Sequence, residues 1–385
     1  MIPKGFRFAA VEAGIKYSGR LDLGLILCER EATVAATFTK NTIVAAPVTL
    51  SKERVKNGYT RGVLVNAGNA NACNGEEGME AAKKTSAMVA DALGIASENL
   101  LVCSTGVIGL PLPADKFKAA TPALIGSLGD DVDSFARSIM TTDLVPKVAS
   151  RTFESGGKTI TVTGVAKGSG MIKPNMATML AFIVTDAAIE PEILKSSLGG
   201  AVELSFNRIT VDGDTSTNDT AILMASGAGG KLEDMRPFDE ALKAVLKELA
   251  RMIVKDGEGA TKVVDITVSG AKDEETAKRA AFTIAESPLV KTALYGEDPN
   301  WGRIAGALGR SGAHDGGPFS IKVDDVEIVI GGVGVGAEAE RRAHEIMTGD
   351  EFSITVNVGE GPGEATVTTC DFSEKYITIN ADYRS

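Results

Sequence analysis

Histidine is nearly missing from this sequence: among 385 residues there are two, His314 and His344. That excludes a histidine-rich metal site, and a Ser-His or Cys-His dyad would have to use one of these two. His344 falls in the helical pattern AEAERRAHEIM and His314 in the turn SGAHDGG, so both read as structural or surface residues. Cysteine is sparse as well. Cys28, Cys73, Cys103 and Cys370 show no CxxC spacing and lie far apart. That is the pattern of reduced, mostly buried thiols in a reducing compartment.

Basic charge is outweighed, with a formal net charge of −11, and no basic patch interleaved with aromatics breaks that balance. Such a chain is repelled by phosphate backbones, which argues against nucleic acid as a partner. Long apolar runs are missing too. The longest, 328–337, is rich in glycine and about half the roughly 20 residues a bilayer span needs. The opening MIPKGFRFAAVEAG lacks the apolar stretch of a signal peptide. These absences predict a soluble, cytoplasmic protein with no membrane partner. Aromatic residues make up 5%, against 44% hydrophobic residues in all and 43 glycines. The core is therefore expected to be Val, Ile, Leu, Ala and Met, joined by many tight turns. At about 150 residues per domain the length suits two to three domains, or one large core with an appendage.

Short β-type runs alternate with amphipathic helical stretches. Strands are expected at 23–28, 33–38, 62–66, 101–103, 159–165, 179–185, 220–224, 262–268, 319–323, 327–330, 353–358 and 364–368. Helices are expected at 76–93, 132–140, 191–206, 237–256, 274–286 and 337–347, with Pro191 and Pro237 suited to first turns. The mixture predicts a layered α/β or α+β fold. No internal repeat is visible, and a boundary is expected near 270–273.

Three motifs tempt and fail. GGVGVGA after the strand at 327–330 fits G-x-G-x-x-A through Gly332, Gly334 and Ala337. A dinucleotide site also needs an acidic residue ending the next strand and room for a second half, and both are lacking. A Gly-rich strand-to-helix turn is the better reading. VDGDTSTNDT offers Asp212, Asp214, Asn218 and Asp219, but Thr217 and Leu223 stand where an EF-hand needs Gly and Glu. A turn or polar active-site loop fits it better. GVAKGSG around Lys167 lacks the GK[ST] ending of a phosphate-binding loop. No metal is expected.

The informative stretch is GVAKGSGMIKPNMATMLAFIVTDA, 164–187. A glycine-rich, lysine-bearing loop runs into Ala177 and Thr178, at the mouth of an apolar strand. A threonine at a strand start is common and needs no function. The sharper reading is self-processing: the Thr178 hydroxyl attacks the preceding carbonyl, and hydrolysis of the ester leaves Thr178 as a new N-terminus. Its α-amine, with a pKa of about 7.7–8.0, then serves as the local base. That chemistry needs no histidine.

At these residues the chain resembles the bacterial ornithine acetyltransferases, the bifunctional ArgJ or glutamate N-acetyltransferase family. The resembling blocks are PKGFRFAAVEAGIK, LVNAGNANACNG, CSTGVIG, KGSGMIKPNMATMLAF, FNRITVDGDTSTNDT, YGEDPNWGRI and CDFSEKYITINADYRS, in order along nearly the whole chain. The terminal Ser385 stands where many relatives end in Thr.

The resemblance implies an αββα-type sandwich like that of aminopeptidases that self-cleave before Ser or Thr. It places a catalytic domain at 1–270 and a smaller α/β domain at 271–385. It implies cleavage between Ala177 and Thr178 into chains 1–177 and 178–385, assembled as α₂β₂. Acetyl transfer from N²-acetyl-L-ornithine to L-glutamate would run ping-pong through acetyl-Thr178, in arginine biosynthesis. No cofactor is implied, although some members also use acetyl-CoA as donor. Thr105 and Gly106 match the family's oxyanion donors. Thr141, Lys167, Thr178, Glu258, Asn380 and Ser385 match its substrate contacts, with Lys167 suited to a carboxylate, Glu258 to an ammonium, and the tail folding back over the site. The alternatives are an amide hydrolase or aminopeptidase on the same scaffold, or a nucleotide-binding protein using GGVGVGA.

Overall fold

A computed structural model describes residues 1–173 and 179–382. The described chain is mixed α/β, as expected, and divides into two compact units. The first comprises 1–207 with 214–253. The second comprises 208–213 with 254–382. The division thus falls ahead of the boundary expected near 270. The strand Val263–Ala271, assigned from sequence to the first domain, pairs on both sides within the second unit's sheet.

Among the described residues the first unit holds an eight-stranded sheet. Its order is Leu100–Ser104, Tyr59–Asn66, Leu23–Phe38, Thr220–Lys231, Leu180–Ala188, Lys158–Lys167 and Lys147–Ser155, with Phe6–Val11 also pairing Leu23–Phe38. Successive side chains serve opposite faces. Leu25 and Leu64 pack with Val89, Phe117 and Leu124 of the helices Gly75–Leu93 and Ala114–Gly126. Ile26, Val63 and Val65 pack on the other side with Phe135, Phe182 and Ile222. Burial on both faces explains the unbroken apolar run at 180–184, which pairs in parallel with Thr220–Lys231. The helix Arg236–Lys255 buries Phe238, Leu242, Val245, Leu246 and Leu249 at helical spacing. Gly164 leaves room for Leu249 and Val245, which would stand 2.7 and 2.8 Å from a Cβ there.

The strands expected at 23–28 and 33–38 are one 16-residue strand, Leu23–Phe38. Its register against Tyr59–Asn66 shifts between Leu27 and Ala32, where the charged Glu-Arg-Glu interrupts the apolar pattern.

The second unit's sheet runs Val333–Gly334, Val326–Ile330, Ser320–Val323, Glu351–Asn357, Val263–Ala271, Gly363–Cys370 and Ile209–Thr210. One face is apolar: Val264, Ile266, Val268, Ile328 and Ile354 pack with Ala281, Ile284, Leu294 and Leu308. The other carries polar pairs, Thr267 with Thr366 at 2.8 Å and Thr368 with Asp265 at 2.6 Å. GGVGVGA is not a strand-to-helix turn of the dinucleotide kind. It forms a hairpin, in which Val333–Gly334 pairs antiparallel with Val326–Ile330 ahead of the helix Ala337–Met347. Among the described residues, no helix is long and apolar enough to cross a membrane. All four cysteines are free, with Cys28, Cys103 and Cys370 buried and Cys73 exposed.

Candidate active site

The first unit gathers three of the expected site residues around one buried ammonium. Lys167 ends the strand Lys158–Lys167 and is 3% exposed. Its Nζ donates to Thr141 Oγ1 at 3.0 Å and to Thr105 Oγ1 at 3.4 Å.

An acid and a second lysine, both missed in the sequence, fix that ammonium. Asp143 is fully buried; its Oδ2 lies 3.8 Å from Lys167 Nζ, and its Oδ1 accepts from Lys147 Nζ at 2.8 Å. The same carboxylate accepts the Gly168 and Thr141 N–H groups at 2.7 and 3.1 Å. Burial alone would raise its pKa, but Lys167 and Lys147 outweigh burial and hold it well below the usual carboxylate range. Asp143 is therefore ionised throughout the physiological range, and Lys167 is held from two directions.

Thr105 and Gly106 follow the strand Leu100–Ser104. Thr105 N donates to Asn66 O at 3.0 Å. Gly106 has φ +132°, and a Cβ there would stand 2.3 Å from Gly68 C and 2.5 Å from Asn69 N. Only glycine fits that approach. No hydrogen bond among the described residues takes up the Gly106 N–H, and no acceptor takes the Thr105 hydroxyl proton. Two adjacent donors are thus available.

Side chains of the neighbouring segments brace this turn. Ser104 Oγ donates to Asn66 Oδ1 at 2.7 Å, and Asn66 Nδ2 to Asn69 O at 2.9 Å. Asn218 Nδ2 donates to both Ala70 O, at 2.7 Å, and Ser104 O, at 2.9 Å. The polar loop VDGDTSTNDT thereby ties down the donor turn. Asn66 and Asn69 both belong to the block LVNAGNANACNG, whose sequence alone assigns them no role.

In the second unit Glu258 is buried and lies in the turn after the helix Arg236–Lys255. It accepts from Asn380 Nδ2 at 2.8 Å. Asn380 stands on the helix Glu374–Asp382, whose start packs on the Glu258 turn. A Cβ on Gly259, at φ +71°, would lie 2.6 Å from Tyr376 N. Ala177, Thr178 and Ser385 lie outside the described residues. Of the two histidines, His344 meets Glu297 O through Nδ1 at 2.7 Å, a contact within the second unit.

Over residues 7–385 the sequence matches the ArgJ family. The chain belongs to that family. It is 52% identical over 391 residues to the arginine biosynthesis bifunctional protein ArgJ of Geobacter sulfurreducens, covering 99% of both chains. It is 48% identical over 392 residues to that of Chlorobaculum tepidum, covering 100% of this chain and 96% of the other. Among solved structures it is similar to ArgJ from Bacillus halodurans, with 38% identity, a TM-score of 0.49, and coverage of 52% of this chain and 98% of that one. It is also similar to the ornithine acetyltransferase of Mycobacterium tuberculosis complexed with ornithine, with 37% identity, a TM-score of 0.40, and coverage of 45% and 93%. The resemblance carried by the seven sequence blocks is borne out across the whole ArgJ-family chain.

Proposed function

We propose that this ArgJ-family chain moves an acetyl group from N²-acetyl-L-ornithine to L-glutamate by way of Thr178. Self-cleavage comes first: the Thr178 hydroxyl attacks the Ala177 carbonyl, the peptide bond becomes an ester, and water releases chains 1–177 and 178–385. The freed α-amine then takes the hydroxyl proton as oxygen attacks the acetyl carbonyl. The proton passes to the leaving amine, and ornithine departs. The glutamate amine attacks acetyl-Thr178 and leaves as N-acetyl-L-glutamate, restoring the hydroxyl.

The observation that carries this reading is the donor pair at 105–106. Each step passes through a tetrahedral oxyanion, and an N–H beside a hydroxyl proton, neither with an acceptor among the described residues, is what such an intermediate requires. In the same proposal the Lys167 ammonium binds a substrate carboxylate, with Thr141 beside it. Glu258 binds a substrate ammonium, and Asn380 and Ser385 complete the contacts. The processed chains assemble as α₂β₂. No resident cofactor is involved, and acetyl-CoA is the alternative donor to assay.

Single-turnover chemistry tests it. With N²-acetylornithine alone, the enzyme should release about one ornithine per site in a burst and then nearly stop, leaving one acetyl group on Thr178 by mass spectrometry. Glutamate should discharge it and restore turnover, with parallel double-reciprocal lines. Steady release of acetate without glutamate, near the full turnover rate, would replace the transferase with an amide hydrolase.

A further inference from the structure

Asp219 closes the polar loop and opens the strand Thr220–Lys231. It is fully buried at 0% exposure. Its Oδ1 accepts the Met179 N–H at 3.0 Å. Its Oδ2 is buried and meets no donor among the described residues. The backbone around it is fixed on both sides, with Thr220 N on Met179 O at 3.1 Å and Thr39 N on Asp219 O at 2.9 Å. The neighbouring Thr39 hydroxyl spends its one proton on Ser216 O at 2.8 Å.

A bare, buried oxygen is tolerable on a neutral acid and costly on a carboxylate. Burial pushes the Asp219 carboxyl well above its ordinary range, against the opposing pull of the Met179 N–H, the Lys167 ammonium and the nearby Thr39 hydroxyl. Among the described residues, Lys167 is the charged group that acts on it.

Met179 follows Thr178 in the chain, so the amide that Asp219 holds belongs to the peptide unit joining those two residues. Asn218, one residue earlier, clamps the carbonyls of Ala70 and Ser104 next to the donor turn. Two adjacent side chains therefore connect that turn to the first described residue after Thr178.

We propose that Asp219 is a positioning residue, kept as the neutral acid, which fixes the Thr178–Met179 peptide unit through the Met179 N–H and so aligns Thr178 for self-cleavage and acetyl transfer. The proposal rests on Thr178 being the nucleophile. Asn reproduces both the acceptor oxygen and the neutrality; Ala removes both.

The test compares Asp219→Asn, Asp219→Ala and Thr178→Ala in the full chain. Asp219→Asn should cleave like wild type and keep kcat within about threefold. Asp219→Ala should cleave slowly and lose about 10²-fold in kcat with KM little changed, the usual consequence of a misplaced reacting group. Cleavage and turnover of Asp219→Ala at the wild-type rate would overturn the proposal. So would Asp219→Asn as slow as Asp219→Ala, since a titrating proton would then be required.

If Asp219→Ala does not fold, stability against pH decides. A raised native pKa means that the folded state keeps a proton which the unfolded chain releases, so wild type loses stability as pH rises above about 4. Asn has no such proton. The unfolding constant of wild type relative to Asp219→Asn should grow, by up to tenfold per pH unit, as pH rises above the unfolded value of about 4. A constant ratio would overturn the neutral acid. Uncut, active wild type with an equally active Thr178→Ala would sink the nucleophile reading itself, whatever the Asp219 variants do.

Discussion

The two sheets bury themselves differently. The first is apolar on both faces, with Leu25 and Leu64 on one side and Ile26, Val63 and Val65 on the other. The second is apolar on one face and lined with threonine and aspartate pairs on the other. A sheet covered on both faces has its register and strand ends fixed, because a one-residue slip would exchange the two cores. Strand ends of that kind can carry buried charge at set distances, and Lys147 and Lys167 are both there. In the second unit Glu258 sits in a turn and meets Asn380 on an exposed helix. The lesson is that the polar groups of the first unit are part of its packing, whereas Asn380 can be altered without touching a core.

That contrast is most easily broken at Asp143. Asp143→Ala leaves two buried ammonium groups without the carboxylate between them, and losing one partner of a buried pair costs about 3–5 kcal/mol. Chemical denaturation should show a loss of this size, with activity falling alongside. The pH dependence has a definite sign. A depressed carboxylate pKa stabilises the fold above the unfolded value of about 3.9 and ceases to do so as pH falls through the native value. The stability gap between wild type and Asp143→Asn should stay constant from pH 8 to 5 and shrink below about 4. A gap of less than 1 kcal/mol for Asp143→Ala would mean that the cluster is not tied to packing.

Next in size is the donor pair. Thr105→Ala should lower kcat by about 10²–10³, the usual loss for one oxyanion donor, with little change in melting temperature. An effect confined to KM would move Thr105 from transition-state stabilisation to substrate binding.

The sequence was most legible where burial is simplest. The apolar strand Leu180–Ala188 and the amphipathic helices Gly75–Leu93 and Arg236–Lys255 show their periods directly. The helix Ala114–Gly126 went unread because Pro122 stands inside it. The single strand Leu23–Phe38 was split because its register shift coincides with charged residues. At the candidate site, Thr105, Thr141 and Lys167 were named through the family resemblance, and the structure brings them together. Asp143 and Lys147 follow Thr141 by two and six residues, yet nothing local distinguishes a fully buried lysine at a strand start from a solvated one. Asp219 escaped for a related reason: its partner is a backbone N–H 40 positions away, a pairing that only strand order creates.

The smallest effect should come from Asn380. Its Nδ2 donates to Glu258 at 2.8 Å and, within its own helix, to Tyr376 O at 3.0 Å. The helix is anchored independently at its start. Phe372 and Tyr376 stack with centroids 4.5 Å apart, and Asp371 accepts from Thr261 N and Lys262 N, both at 2.8 Å. Asn380→Ala therefore removes one exposed contact and leaves the anchor, so stability should change by no more than about 0.5 kcal/mol, as for most surface substitutions. Glu258 is buried, and Asn380 is its hydrogen-bond donor in the second unit. Removing that donor should leave the carboxylate less well oriented for a substrate ammonium. The expected kinetic result is a KM for glutamate raised a few-fold with kcat nearly unchanged, the mark of binding shared equally by ground and transition states. Glu258→Gln should raise the same KM further, because it removes the charge and not only its orientation. If Asn380→Ala instead lowered kcat as much as Thr105→Ala does, the tail would belong with the donor pair, and the contrast between the two units would fail.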